Sequence, residues 1–263
     1  MSQGASKIVY WYAKKHWPSG LSKELVATKK QVKLAAEKAV SELADGATRK
    51  GILIRLAGQS GSGKTTQLLP AAEKYSEKKG VKPVLIAARI LSKYHPHYEE
   101  ILAKYGEAEI RKRTDDFATV VMYLVVDELA RQRCDMIIDM SFVSTKVENM
   151  LVRMTREYAE KMVLMMAVAP EITEKLLSGR EWRHGEKLEK EFMVATEKAL
   201  DFYGEKCPEM RMVMWGFDKK EPVYDGKMAG AAEAWQREVA RKDVKIRYNE
   251  AKLREAKIKY LTK

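Results

Sequence analysis

Residues 58–65, Gly-Gln-Ser-Gly-Ser-Gly-Lys-Thr, constrain this chain more than any other segment, because they fit G-x-x-x-x-G-K-[ST] at every fixed position. An apolar run, Gly51-Ile-Leu-Ile-Arg-Leu-Ala57, leads into the loop, and a helical pattern leaves it from Lys64. Strand, glycine-rich turn and helix in that order curl the backbone so that its N–H groups converge on an anion, and the helix N-terminus adds the positive end of its dipole. Gly58, Gln59, Ser60, Gly61, Ser62, Gly63, Lys64, Thr65 and Thr66 are therefore the expected phosphate cradle for ATP or GTP. In that arrangement Lys64 reaches the β- and γ-phosphates and the Thr65 hydroxyl ligates Mg²⁺. Read as a turn with no ligand, the segment leaves the adjacent Lys-Thr pair without a reason. Pro70 conflicts with a continuous helix from Lys64, since it falls in the second turn, where a kink or a shortening is expected.

Further apolar runs recur at Val84–Ala88, Met136–Ile138, Met162–Ala169 and Met210–Trp215, with helical stretches between them, notably 117–133 and 146–161. Strands that alternate with helices predict an α/β fold: a mostly parallel sheet of five or six strands, covered by helices on both faces, of the P-loop NTPase type. Three segments are expected: a basic helical N-terminal part (1–50), a P-loop kinase-like domain (51–226) and a basic amphipathic C-terminal helix (227–263). Ser22 is placed as the N-cap of a first helix reaching Leu43, and one long helix is expected from Gly230. Of the 14 methionines, six cluster at 162–166 and 210–214, as a pliable filling for strand cores.

A second acidic group is needed to hold magnesium or to activate an acceptor hydroxyl. Asp139 supplies one at the end of Met136-Ile-Ile, on the edge of a parallel sheet that faces the ligand crevice. The competing assignment for Asp139 is the N-cap of a helix starting near Ser144. Ser141 lies on the same lip. Arg180 and Arg183, spaced i, i+3 between Gly179 and Gly185, suit a lid that neutralises a migrating phosphoryl group, although a solvated helix turn has the same spacing.

The formal charge of +12 divides unevenly along the chain. Positions 1–50 hold 10 Lys+Arg and 4 Asp+Glu, positions 227–263 hold 11 and 5, and the middle balances at 28 against 28. The excess therefore concerns what the flanks touch, either an acidic partner such as nucleic acid or solvent alone, and leaves the central domain electrically ordinary. Cys134 and Cys207, with no Cys/His cluster, indicate neither a disulfide framework nor a zinc site and fit a reducing compartment. The longest apolar run falls far short of the ~20 residues that span a bilayer, so a cytoplasmic protein without a membrane contact is expected.

The order of elements from Gly58 to about Gly226 resembles the zeta-toxin group of P-loop kinases, toxins of bacterial toxin–antitoxin systems. The resemblance rests on the loop with Gln59 after its first glycine, on Tyr94-His95-Pro96 followed by Tyr98, and on Thr114-Asp115-Asp116-Phe117 as the start of a helix. It rests also on Met136-Ile-Ile-Asp139-Met140-Ser141 and on a last strand and turn from Val213 to Gly226. The resemblance implies an ATP-dependent kinase that transfers the γ-phosphate to a hydroxyl of a nucleotide sugar or similar small molecule and is held off by an antitoxin. Together with the readings above, the candidate catalytic residues are Lys64, Asp139, Arg180 and Arg183, the candidate substrate contacts Asp139, Ser141 and His95, and the candidate metal ligands Thr65 and Asp139. The position of the family's general base is Arg89 here, which accepts no proton at neutral pH. Asp139 and Ser141 stand where the family has Glu and Thr, and Val143 stands where an Arg should follow. His95 has a competing assignment as a structural histidine before a proline turn. Two further readings stay open: a kinase acting on nucleic-acid ends, and an inactive nucleotide-binding module.

Overall fold

The apolar runs become strands of one sheet. In a computed structural model that describes residues 21–59, 61–177, 186–244 and 249–263, these are β1 (Ile52–Ala57), β2 (Val84–Ala87), β3 (Met136–Asp139), β4 (Glu160–Ala167) and β5 (Arg211–Gly216). A sixth, β6 (Tyr224–Lys227), completes the order β2-β3-β1-β4-β5-β6. The first five run parallel and β6 returns antiparallel along β5. Strands covered on both faces need apolar side chains on both. Met162, Met165, Met166, Met212 and Met214 are accordingly buried.

Ten helices join the strands among the described residues: α1 (Lys29–Leu43), α2 (Leu69–Lys78), α3 (Ala88–Leu91), α4 (Tyr98–Tyr105), α5 (Glu107–Arg131), α6 (Thr145–Met154), α7 (Pro170–Leu177), α8 (Glu186–Lys206), α9 (Ala231–Val239) and α10 (Glu250–Leu261). On one face α1, α5 and α6 pack over β2 and β3, while α8 and α9 pack over β4 and β5. On the other face α2 and α10 cover β1, β4 and β5 through Leu68, Ala72, Trp215 and Leu261.

Local chemistry moves several boundaries from where the sequence puts them. The first helix starts at Lys29 because Thr28 caps it reciprocally: the Gln31 N–H donates to the Thr28 hydroxyl, and Gln31 Oε1 accepts the Thr28 N–H at 2.8 Å. Ser22 instead precedes a single 3₁₀ turn, Lys23–Leu25. Pro70 resolves its own conflict. The phosphate loop opens into a π turn, Lys64–Leu68, and α2 begins only at Leu69, so the proline occupies a first turn where its missing N–H has no partner to lose. Gly106, at φ +79°, separates α4 from α5, which places Thr114-Asp115-Asp116-Phe117 inside α5 rather than at its start. The helix expected over 146–161 stops at Met154. The C-terminal segment forms two helices, not one, and α10 packs on α2 and the π turn beside the phosphate loop. It is tied there by Lys78, which donates to the carbonyls of Thr262 and, at 2.9 Å, Lys263. No helix among the described residues is long and apolar enough to cross a membrane.

One buried carboxylate sets the level at which the central strands begin. Asp135, fully buried just before β3, accepts the Thr48 hydroxyl and the N–H groups of Lys50 (2.9 Å) and Ile52 (2.7 Å) at the start of β1. Asp135→Ala leaves two backbone donors orphaned and is expected to cost about 3 kcal/mol. Urea denaturation measures it as a lowered midpoint at unchanged m-value.

Candidate nucleotide site

The glycine-rich loop follows β1 directly, and its glycines are required where they stand. Gly58, Gly61 and Gly63 adopt φ of 125°, 77° and 94°, the left-handed region that side chains avoid. A Cβ on Gly58 would also lie 2.8 Å from the Met166 carbonyl. Gln59 does not face a ligand: its amide donates to Val168 O at 2.8 Å and to the Thr173 hydroxyl at 3.3 Å, fastening the loop to the segment after β4. Lys64 folds back to donate to Gly58 O and Gln59 O. Desolvation pulls its ammonium down to about 8, with Asp139 opposing and Arg89 and Arg111 adding to the fall. Ser62 Oγ and both amide atoms of Gln67 are buried without a hydrogen-bond partner among the described residues, beside a loop whose shape suits an anion. Ser60 lies outside the described residues, and Thr66 is exposed.

Asp139 stands at the C-terminal end of β3, level with Leu56 of β1 and Ala87 of β2. Its carboxylate oxygen Oδ2 accepts the Thr65 hydroxyl at 3.3 Å and, on the same atom, the guanidinium of Arg89 from α3. The Asp139 side chain is 4% exposed and that of Arg89 32%. Asp139 is thus not a helix cap, since Ser144 takes that position in α6. Thr65 and Asp139 are the oxygen donors magnesium takes, and the fold brings them together. Arg89 shares the oxygen, so an ion would ligate it only in competition with the guanidinium. The Ser141 hydroxyl donates to Gly58 O at 2.6 Å, which ties the β3–α6 loop to the phosphate loop.

His95 is held apart from this cluster. It is buried edge-on to Phe117, 4.5 Å between ring centres, and its Nδ1 accepts the His97 N–H at 3.1 Å. Its Nε2 has no partner among the described residues, and burial, with His97 adding, pushes the imidazole down to about 4. Arg180 and Arg183 lie outside the described residues.

Sequence reasoning missed the arginine inside β1. Arg55 is buried, pairs with the fully buried Glu148 of α6, and donates to the Tyr203 hydroxyl at 2.9 Å. It also donates to Met140 O at 3.3 Å and to Ser141 O at 2.9 Å, while Glu148 accepts the Val143 N–H at 2.9 Å. Desolvation acts against the charged guanidinium, but Glu148 outweighs it and holds the group firmly protonated. The cluster fixes the loop that carries Ser141. Its one visible signal was a charge in the middle of an apolar strand.

Residues 37–207 match the model of the family described as zeta toxin. Among solved structures, a chain of the PezAT chromosomal toxin–antitoxin system of Streptococcus pneumoniae aligns over 91% of this chain and 99% of that one, at 22% identity and a TM-score of 0.64. At that identity the likeness is one of fold. A search of curated proteins finds no match.

Two measurements test the site's framework. Arg55→Leu strands a buried carboxylate and is expected to lose about 3–5 kcal/mol, whereas Arg55→Leu/Glu148→Leu, which removes both charges, is more stable than that single variant in chemical denaturation. His95 stays neutral in the folded chain down to about pH 4, while in the unfolded chain it protonates near 6.5. The unfolded state therefore binds more protons in that window, and stability falls as pH drops through it. His95→Gln should flatten the dependence of stability on pH between 6.5 and 4.

Proposed function

The chain belongs to the zeta-toxin family, whose members are kinases, and from that we propose that it is an ATP-dependent phosphotransferase acting on a hydroxyl of a nucleotide sugar or similar small acceptor. The observation that carries this reading is the approach of the glycine-rich loop, with Lys64 and Thr65, to Asp139 across the C-terminal ends of the strands. A triphosphate seated on the loop N–H groups replaces Gly58 O and Gln59 O as the partner of Lys64. The acceptor oxygen bonds to the γ-phosphorus as the bridging β–γ bond breaks, ADP leaves, and the acceptor proton passes to Asp139. Lys64, Arg89 and Arg111 bring positive charge to a transfer that depends more on positioning and charge than on a strong base. Thr65 and Asp139 are the residues that would hold a magnesium ion, Asp139 only in place of Arg89, and the ion would supply further positive charge to the transfer. Ser141 belongs to the acceptor side. Arg180 and Arg183 form the lid in this reading. The family, and a fold shared with a toxin–antitoxin chain, support an antitoxin as partner.

A second reading is favoured by one contact. Arg89 stands at the family's base position and holds Asp139, as in a nucleotide binder that has lost transfer.

A single assay separates them: ATP with nucleotide sugars, dinucleotides and oligonucleotides as acceptors. Under the kinase reading Asp139→Asn lowers kcat by about 10²–10⁴ and Lys64→Ala abolishes transfer. ATP consumption that is equal in wild type and Lys64→Ala with every acceptor eliminates it, and transfer to oligonucleotides alone reassigns the substrate.

A further inference from the structure

A nucleotide that arrives at this site meets charges already arranged for it. Asp139 and Thr65 are the pair that would take a divalent cation, and Arg89 already donates to the oxygen that faces Thr65. The carboxylate is nearly buried, so the contact is made with little water between the partners, and Arg89 remains one-third exposed. A guanidinium stays charged at every physiological pH and carries five N–H donors in a planar fork. One nitrogen reaches Asp139, and the fork has donors beyond it for phosphate oxygens. A magnesium ion entering here would have to displace Arg89 from its ligand.

We propose that Arg89 takes the place of the divalent cation beside the triphosphate, so that this chain binds ATP without magnesium. The proposal rests on the nucleotide site put forward above but not on any transfer step, and it holds equally for a kinase and for an inactive nucleotide binder. It also gives Arg89 a role that loss of a base does not. An alanine there would abandon the base, whereas an arginine joined to Asp139 keeps a positive charge beside that carboxylate.

The test is the affinity for ATP, by calorimetry, in excess magnesium and in EDTA, for wild type, Arg89→Ala, Arg89→Gln and Lys64→Ala. Wild type is expected to bind with affinities that differ by less than about tenfold between the two conditions, a charge-assisted contact being worth roughly that much. Arg89→Ala and Arg89→Gln are expected to lose about tenfold or more in EDTA and to regain it in magnesium. The Gln variant keeps a polar side chain at the site should the Ala variant be unstable. Wild-type affinity that drops about tenfold or more in EDTA overturns the proposal while leaving the nucleotide site standing, as does a metal response in the Arg89 variants no larger than in wild type. Binding by wild type no tighter than by Lys64→Ala in both conditions overturns the nucleotide site and the proposal together.

Discussion

The parallel register of β1, β2 and β3 decides where the chemistry of this chain can lie. Asp139 is level with Leu56 on one side and Ala87 on the other, so β1 reaches the glycine-rich loop and β2 reaches α3 at the height of the carboxylate. Each of the three segments contributes one group to a single oxygen or its owner: Thr65 from the loop after β1, Arg89 from the helix after β2, and Asp139 from β3 itself. The levels are set at the opposite end by Asp135, which ties the beginnings of β1 and β3 together. A slip of one residue would turn Asp139 to the other face of the sheet and separate it from Thr65.

Beneath that meeting point Arg55 connects the parts. Its pairing with Glu148 and its bonds to the carbonyls of Met140 and Ser141 hold the β3–α6 loop, and Ser141 bonds to Gly58, the carbonyl that also receives Lys64. A buried ion pair is a poor source of stability, since desolvation offsets most of its attraction. Its effect here is one of placement, through a continuous chain of hydrogen bonds from the core of the sheet to Lys64.

Much of this was legible beforehand, for physical reasons. The glycine-rich loop needs particular residues at particular backbone angles, and the strands need uninterrupted apolar runs, so both show in the sequence and both stand where expected. Asp139 was found by its place at a strand end. What could not be read were contacts between distant segments: that Arg89, chosen for attention only as a missing base, reaches Asp139 from 50 residues away, or that Arg55 meets Glu148 and Tyr203. Helix starts failed where a reciprocal cap at Thr28 outweighed Ser22, and where a π turn absorbed Pro70. The C-terminal segment carries one periodic pattern but folds as two helices, because α9 ends at Val239 and the described residues 240–244 are not helical, a break that hydrophobic spacing does not register. The lid arginines, 180 and 183, fall outside the described residues and remain a proposal.

The central claim is that Arg89 is joined to Asp139 as the resident cation of the site. The most direct measurement is a double-mutant cycle on folding stability with Arg89→Ala and Asp139→Ala, in the absence of nucleotide and divalent ions. The account predicts a favourable coupling of at least about 1 kcal/mol between the two positions, as contacting partners in a partly buried pair show. Stability changes that simply add would contradict it.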